Sequence, residues 1–136
     1  MTFTPPVPFE EGFDSTYGLD LDLDRAAEGV VAARVPVREE LLAEHGAVHG
    51  GVLAALAEAT ASTGTWVVVA PQGSMAMGLS NDTTVTAPVR EGVIHSEARA
   101  VTRGDDAWVW AVEARDDAGE VVAFSRITVA VRPLRG

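Results

Sequence analysis

A single glutamate stands in the most apolar stretch of this chain. Between Val52 and Ala61 nearly every residue is small and apolar, and Glu58 carries the only charge. A helix that is apolar all round belongs in a protein interior, where a carboxylate loses its hydration. Because such carboxylates cluster at active sites, Glu58 is the first candidate for chemistry. The periodicity leaves a second interpretation open, in which Glu58 lies at an exposed edge of the helix and only solubilises it.

Two glycines stand just before this helix, in the run His49-Gly50-Gly51. The first N–H groups of a helix have no intrahelical partner and lie at the positive end of the helix dipole. Aimed at a developing oxyanion, one such donor is worth roughly 3 kcal/mol. A residue without a Cβ also lets a substrate approach the backbone, although glycine would equally permit close helix–sheet packing. A helix-terminal donor and a carboxylate together fit the hydrolysis of an acyl compound.

The spacing of these two groups predicts that they act in different subunits. Gly50 and Glu58 are eight residues apart. On a helix that rises about 1.5 Å per residue they are separated by roughly 12 Å, so both cannot contact one reacting carbon from the same helix. If both act, Gly50 of one subunit faces Glu58 of another, in a composite site across a dimer interface. Glu58 would attack the carbonyl carbon or deprotonate water, and the residues leave both routes open.

The composition limits the class of protein. With 136 residues, 47% of them hydrophobic, the chain is expected to form one domain with a full core. A net charge of −10 argues against nucleic acid or anionic membrane as a partner. Without cysteine, and with three histidines that fit no metal-binding spacing, no metal site is expected. No signal peptide is recognisable and no apolar run approaches the roughly 18 residues of a membrane span, so a cytoplasmic protein is expected.

The elements that must position these residues follow from the hydrophobic pattern. We expect an irregular lead-in over residues 1–16, with a short helix near 9–14, and a single domain over 17–136. The long helix is expected to end near Ser62–Gly64 with Gly64 as its stop, and residues 66–70 are either its last turns or a short strand. A turn near 25–28 joins the first two strands, and a helical turn covers 38–44. The predicted strands are 17–24, 29–37, 75–86, 93–103, 107–116 and 121–132.

The order of these elements predicts an α+β fold. Two strands, one buried helix and four antiparallel strands are satisfied by one sheet that curls around the helix. Because the sheet covers only part of the helix, the uncovered side requires a second subunit. The aromatic run Trp108-Val109-Trp110 is expected to lie in the core or at an interface.

Several stretches resemble one known family. They are Val48–Glu58, Gly78–Val89 with Ser80-Asn81 and Pro88-Val89, Arg115–Gly119 and Ala130–Pro133. From about residue 17 to its end, the chain resembles the hotdog-fold acyl-CoA thioesterases of the PaaI-like branch, and more closely the Arthrobacter-type 4-hydroxybenzoyl-CoA thioesterases. The resemblance implies a hotdog fold, a curved antiparallel sheet of five to six strands wrapped around one long central helix. It also implies a homodimer as the minimum functional unit and no cofactor beyond the coenzyme A of the substrate. A homotetramer is expected, although the sequence leaves the choice between dimer and tetramer open.

The resemblance also implies roles for matching residues. The Gly50 N–H would polarise the thioester carbonyl, and Glu58 of the neighbouring subunit would be nucleophile or general base. Ser62 falls where the family has a threonine that helps to position the hydrolytic water, and His49 would shape the site. Arg135 matches an arginine near the phosphates of coenzyme A. The candidate residues for substrate or coenzyme A binding are Gly51, Asn81, Thr84, Arg90 and Arg135.

Structural interpretations stay open for three of these candidates. The Ser62 hydroxyl would equally donate back to the main chain, as hydroxyls near helix ends do. A histidine at a helix entry, such as His49, is often a packing or hydrogen-bonding residue. Asn81 is either part of a β-bulge or turn, or reaches the acyl pocket.

Four positions depart from the family pattern. Ala43 and Ala87 stand where the family has a glutamine and an arginine, and Asp105 and Asp106 replace a Ser-Thr pair near the nucleotide. Carboxylates there would repel phosphates. The sequence therefore predicts an acyl-CoA thioesterase for an aryl or medium-chain acyl group, and leaves the leaving thiol open. The alternative is a non-catalytic hotdog protein that binds acyl-CoA as a sensor or carrier.

Overall fold

The computed structural model describes residues 17–134. The expected lead-in over 1–16, its short helix and Arg135 lie outside the described residues. Within the described residues the long helix, α1, spans Gly50–Val69. The strands are β1 (Asp20–Asp22), β2 (Val30–Pro36), β3 (Ser74–Val85), β4 (Val93–Arg103), β5 (Ala107–Arg115) and β6 (Val121–Pro133).

The six strands form one sheet in the order β1-β2-β4-β5-β6-β3. Every neighbouring pair is antiparallel. Helix α1 contacts five of the strands, β2 to β6, so the sheet wraps around it. The predicted α+β arrangement, one antiparallel sheet around one central helix, is confirmed.

The turns form where the sequence predicts them. A 3₁₀ turn at Ala26–Glu28 joins β1 to β2 and ends at Gly29, whose φ of 78° suits glycine. Between β5 and β6, a carboxylate oxygen of Asp116 accepts the N–H groups of Ala118 and Glu120 at 3.0 and 2.9 Å. These local hydrogen bonds fix the register of the hairpins and hence the positions of the strands beside α1.

The helix continues further than predicted. Gly64 does not stop α1: it lies inside the helix, where an added Cβ would be only 2.7 Å from Val31 Cγ2 and 3.1 Å from the Trp110 ring. Glycine is needed at this position because β2 and β5 press against the helix backbone. Trp66 to Val69 form the last turns of α1, which is one of the two predicted alternatives.

The apolar character of α1 is explained by its burial. Residues Gly50–Gln72 form a helical stretch long and apolar enough to span a membrane, contrary to the expectation from run length. Here the helix packs on the sheet through two clusters of buried side chains, one around Trp110 and Ile127 and the other around Leu53 and Ile94. Trp110 Nε1 donates to Thr65 Oγ1 at 2.8 Å, which satisfies both groups in the core. The aromatic run of β5 is therefore core, as predicted.

Strand β3 forms one edge of the sheet. Within residues 17–134 it pairs only with β6, so the hydrogen-bonding groups of its outer side have no strand beside them. Met77, Leu79 and Val85 are 45, 62 and 47% exposed on this strand. A long edge strand that carries exposed apolar side chains is a ready surface for pairing with another strand.

Candidate active site

His49 caps the start of α1. This residue is the N-cap, with extended backbone, and its Nδ1 accepts the N–H of Gly51 at 2.8 Å. The N–H of His49 donates to the Leu41 carbonyl at 2.9 Å, which fixes the entry of the chain into the helix. Among residues 17–134, no group accepts a hydrogen bond from the Gly50 N–H. That donor is therefore available to a ligand at the positive end of the helix.

A pocket lies in front of this donor. It has a volume of about 430 Å³, and Gly50 contributes to its wall. A Cβ added to Gly50 would meet Val85 Cγ2 at 3.4 Å, an ordinary contact, so the end of β3 closes one side. The other lining residues are His45, Ala47, Val48, Thr86, Ala87 and Pro88.

Glu58 lies two turns further along α1, half-buried against β3. A Cβ on Gly78 would be 2.6 Å from both Cδ and Oε2 of Glu58, closer than such atoms can approach. Gly78 therefore leaves the space that the carboxylate occupies. Glu58 is thus half-buried beside β3, and not on a fully exposed edge of the helix.

Asn81 links the Glu58 carboxylate to the sheet. Its Nδ2 donates to Glu58 Oε1 at 3.3 Å and to the Ala54 carbonyl at 2.9 Å. Thr83 Oγ1 donates to Asn81 Oδ1 at 2.7 Å and lies 2.7 Å from Ser125 Oγ. The Thr83 contact fixes which end of the amide faces Glu58. We refer to Ser125, Thr83 and Asn81 as the amide relay. Thr83 and Ser125 were not predicted from the sequence.

A second pocket, which we call the Glu58 pocket, opens beside this carboxylate. Its volume is about 470 Å³. Its other lining residues are Ala55, Ala59, Ser62, Thr63 and Trp66 of α1 and Ala76, Met77 and Gly78 of β3.

The Ser62 hydroxyl differs from the other hydroxyls of the helix. Thr60 and Thr65 donate to main-chain carbonyls one turn back, at 2.7 and 2.9 Å. The Ser62 Oγ is buried and has no hydrogen-bond partner among the residues of the described chain. Ser62 thus does not make the back-bond that was its structural alternative. A buried hydroxyl without a partner beside a carboxylate can hold a water or a substrate group.

Gly50 and Glu58 belong to different pockets of one subunit. The two pockets share no lining residue. Eight residues of uninterrupted helix separate them along α1, which corresponds to about 12 Å at the usual rise per residue. A single chain of this structure does not bring the donor and the carboxylate together.

The remaining candidates lie at the rims or outside the pockets. Gly51 makes room for the His49 ring, since a Cβ there would be 3.0 Å from His49 Nδ1. Arg90 donates to the His45 carbonyl at 3.2 Å, next to the Gly50 pocket. Thr84 is exposed on β3 opposite Phe124 and lines neither the Gly50 pocket nor the Glu58 pocket.

The positions that depart from the family pattern lie in two places. Ala43 lines a cavity with His45 and His49 near the start of α1. Asp105 and Asp106 are exposed in the turn that joins β4 to β5. This turn and the β5–β6 turn lie at opposite ends of β5. Within residues 17–134, no group of three or more His, Asp or Glu side chains is arranged to hold a metal ion.

Comparison with known proteins shows the family. The family model described as "Thioesterase superfamily" matches residues 45–123, more than half of the chain. The chain is 36% identical over 127 residues to a putative esterase of Deinococcus radiodurans, covering 91% of this chain and 79% of that protein. It is 28% identical over 124 residues to the 1,4-dihydroxy-2-naphthoyl-CoA hydrolase of Listeria monocytogenes, covering 91 and 98%.

A solved structure agrees with these matches. The crystal structure of a thioesterase from Haemophilus influenzae superposes with a TM-score of 0.85 at 26% identity, covering 94% of this chain and 87% of that one. The matched region includes the start of α1, Glu58 and the amide relay up to Thr83. The chain has the hotdog fold, belongs to the thioesterase superfamily and is a thioester hydrolase.

Proposed function

We propose that the protein hydrolyses an aryl or medium-chain acyl-CoA to the free acid and coenzyme A, in a site composed of two subunits. The observation that carries the proposal is that the two reactive groups lie at different places along α1. An unpartnered N–H at Gly50 and a held carboxylate at Glu58 lie in separate pockets of one chain. The Gly50 pocket has no carboxylate in its lining, and the Glu58 pocket does not include the start of the helix, so we infer that a second copy completes each.

The edge strand β3 supports a particular arrangement of the two copies. β3 runs antiparallel to α1: Gly78 lies beside Glu58, Asn81 beside Ala54, and Val85 beside Gly50. Suppose that two β3 strands pair antiparallel about a two-fold axis. Val85 of one copy must then lie opposite Gly78 of the other, so that the Gly50 N–H of the first copy meets Glu58 of the second. That condition puts the axis between Asn81 and Asp82, near the middle of the strand.

In this arrangement each group has a defined task. The Gly50 N–H donates to the thioester oxygen of a substrate as negative charge develops there. Glu58 of the other subunit either attacks the carbonyl carbon, which expels the thiolate and leaves a mixed anhydride for water to cleave, or removes a proton from an attacking water. We assign to Ser62, one turn after Glu58, the task of holding that water, which its buried and unpartnered hydroxyl supports.

The choice of an aryl or medium-chain acyl-CoA rests on resemblance. It follows from the likeness to Arthrobacter-type 4-hydroxybenzoyl-CoA thioesterases and agrees with the Listeria relative, whose name specifies an aromatic acyl-CoA. Asp105 and Asp106 would repel the coenzyme A phosphates. A high KM for coenzyme A thioesters is therefore part of the proposal. The proposal also includes a cytoplasmic location and a homotetrameric assembly.

The test is release of free thiol from a panel of acyl-CoAs by the parent and two substituted proteins. Glu58→Gln removes the base and nucleophile, and kcat is expected to fall at least about a hundredfold. Gly50→Pro removes the N–H and adds a small ring, with little strain on the backbone: proline is favoured at the first helical position, and the extended backbone of His49, φ −61° and ψ 134°, suits a following proline. It is expected to lower kcat by a similar factor of about 100.

Gly50→Ala is the matched control for the donor. It keeps the N–H, and its Cβ makes only an ordinary contact of 3.4 Å with Val85. Activity close to that of the parent is expected. Equal losses in Gly50→Ala and Gly50→Pro would mean that space, not the donor, matters at this position. Retention of acyl-CoA binding with no thiol release by the parent would favour the sensor or carrier instead.

A further inference from the structure

The two oxygens of the Glu58 carboxylate have different surroundings. Oε1 accepts a hydrogen bond from Asn81 Nδ2 at 3.3 Å. Oε2 lies on the side of Gly78, where an added Cβ would be 2.6 Å from it. Among the described residues Asn81 is the one donor to this carboxylate, so Oε2 receives no hydrogen bond. One oxygen is therefore held and the other is free.

Asn81 also holds the turn of α1 that carries Glu58. Its Nδ2 donates to the Ala54 carbonyl at 2.9 Å. In the hydrogen-bond ladder of an α-helix the same carbonyl accepts the N–H of Glu58, four residues on. A side-chain amide has two N–H donors, and both are used here. Asn81 thus contacts the carboxylate itself and the helix backbone beneath it.

The rest of the amide relay prevents the Asn81 amide from turning over. Thr83 donates its one hydroxyl proton to Asn81 Oδ1 at 2.7 Å. The Ser125 hydroxyl, 2.7 Å from Thr83 Oγ1, must then be the donor of that pair. In a turned amide the oxygen would face two further acceptors, the Glu58 carboxylate and the Ala54 carbonyl. The order of donors and acceptors therefore keeps the amide nitrogen toward Glu58.

The position of Asn81 separates it from the space that a substrate would occupy. Asn81 does not line the Glu58 pocket, whereas Gly78 of the same strand does. Both of its N–H groups already have acceptors on α1, so neither is left for a ligand. Any effect of Asn81 on the reaction must therefore pass through Glu58.

We propose that Asn81 is a positioning residue that makes Oε2 the reacting oxygen of Glu58. This inference rests on the proposed thioesterase function and replaces substrate binding as the role of Asn81. With Oε1 held, the carboxylate does not rotate about its last bond, and Oε2 stays beside Gly78 at the wall of the pocket. There it meets the carbonyl carbon or the attacking water in a fixed geometry. Without the amide the two oxygens exchange, and many orientations of the carboxylate are unproductive.

The test measures kcat and KM of Asn81→Leu and the parent on one acyl-CoA. Leucine keeps the branched shape and removes both donors, so kcat is expected to fall at least about tenfold while KM stays within about twofold. Asn81→Asp should lose as much, because it keeps an acceptor for Thr83 but cannot donate to Glu58. It also covers the case in which the leucine variant does not fold. Asp82→Asn is the matched control: Asp82 is the next residue of β3, pairs with Arg126 in the sheet register and should leave kcat unchanged.

A second comparison separates positioning from a purely structural role. In a Glu58→Gln background the reacting oxygen is already gone, so adding Asn81→Leu is expected to change the residual rate by less than about twofold. A further tenfold loss in that background, an increase in KM in place of the fall in kcat, or full activity of both Asn81 variants would overturn the proposal. The thioesterase function would stand in each of these cases. If the parent cleaves no acyl-CoA, both proposals fail together.

Discussion

Thr83 stands at the second step of the amide relay that ends on Glu58. Its hydroxyl fixes the Asn81 amide, which in turn holds the carboxylate. Thr83→Val keeps the shape of the side chain and removes the hydroxyl, so we expect Asn81 to lose its fixed orientation. A carboxylate that is misplaced by a fraction of an ångström should lower kcat about tenfold with little change in KM.

Thr83→Ser is the conservative partner of that experiment. It restores the hydroxyl, and kcat is expected to return to near the parent value while the melting temperatures of both variants stay close. Steady-state kinetics on one acyl-CoA are sufficient. A loss that appears in KM, or that Thr83→Ser does not repair, would show that the relay only stabilises β3.

Asp117, outside the site, gives the chain a pH-dependent contact. Its carboxylate lies 2.8 Å from His95 Nε2 and accepts the Val93 N–H at 3.2 Å. The hydrogen bond from His95, and then that from Val93, hold the pKa of Asp117 below its usual 3.8. Because the pKa is lower in the folded state, the contribution to stability is present above the usual value and is lost as the pH falls through the lowered one.

Asp117→Ala should therefore lower the melting temperature at neutral pH and have a smaller effect in acid. The measurement is the difference in melting temperature from the parent at about pH 7 and about pH 3. Asp105→Ala is the control, because Asp105 is also an exposed turn carboxylate and has no hydrogen bond to the described residues. A difference for Asp117→Ala that does not shrink in acid would contradict the assignment.

At the scale of elements, the packing of α1 depends on one glycine in its middle. Gly64→Ala would raise helix propensity by up to about 1 kcal/mol in an isolated helix. Here the new Cβ would press on Val31 and Trp110, and overpacking of this kind costs about 1–3 kcal/mol. The free energy of unfolding is therefore expected to fall, which denaturant titration measures.

A second substitution tests the cause. Val31→Ala removes the side chain that the added Cβ would strike, at the cost of a small cavity. In the double variant the two changes should compensate, so that its destabilisation is less than the sum of the single effects. If the two destabilisations simply add, the strain caused by Gly64→Ala does not come from its contact with Val31.

The same glycine marks the limit of what the sequence predicts. The strands could be placed to within a residue or two over most of the sheet because alternation of apolar side chains is a local property, as in β2 and β4. The end of α1 could not, since glycine is needed at position 64 because of its close contacts with Val31 and Trp110, which are distant in the chain. His49, Gly50 and Glu58 were recognisable because they lie close together in sequence.

The contacts of the site were less predictable than its residues. Asn81 was a candidate, yet its hydrogen bond to Glu58 joins residues 23 apart in the chain, and only the fold brings them together. Thr83 and Ser125 carry no motif, and their place in the amide relay follows from the pairing of β3 with β6. The roles assigned to Gly50, Glu58 and Ser62 remain predictions.

At the scale of the whole molecule, the proposed composite site predicts complementation between two inactive chains. A heterodimer of Gly50→Pro and Glu58→Gln, isolated with two affinity tags, would contain one site with both lesions and one with neither. It is expected to recover about half of the parent activity. A tagged dimer of two Glu58→Gln chains is the control, and a heterodimer as inactive as that control would locate each site within one subunit.

The exposed edge of β3 has a consequence for how the protein is made. In the proposed dimer this edge is covered, whereas a newly folded single chain exposes an apolar strand edge with which another strand could pair, and such pairing is how aggregates begin. The net charge of −10 opposes this, because chains that approach in arbitrary orientations repel one another. The yield of folded protein on refolding should therefore fall as salt screens that repulsion. The excess of acidic residues would thus limit aggregation while subunits assemble.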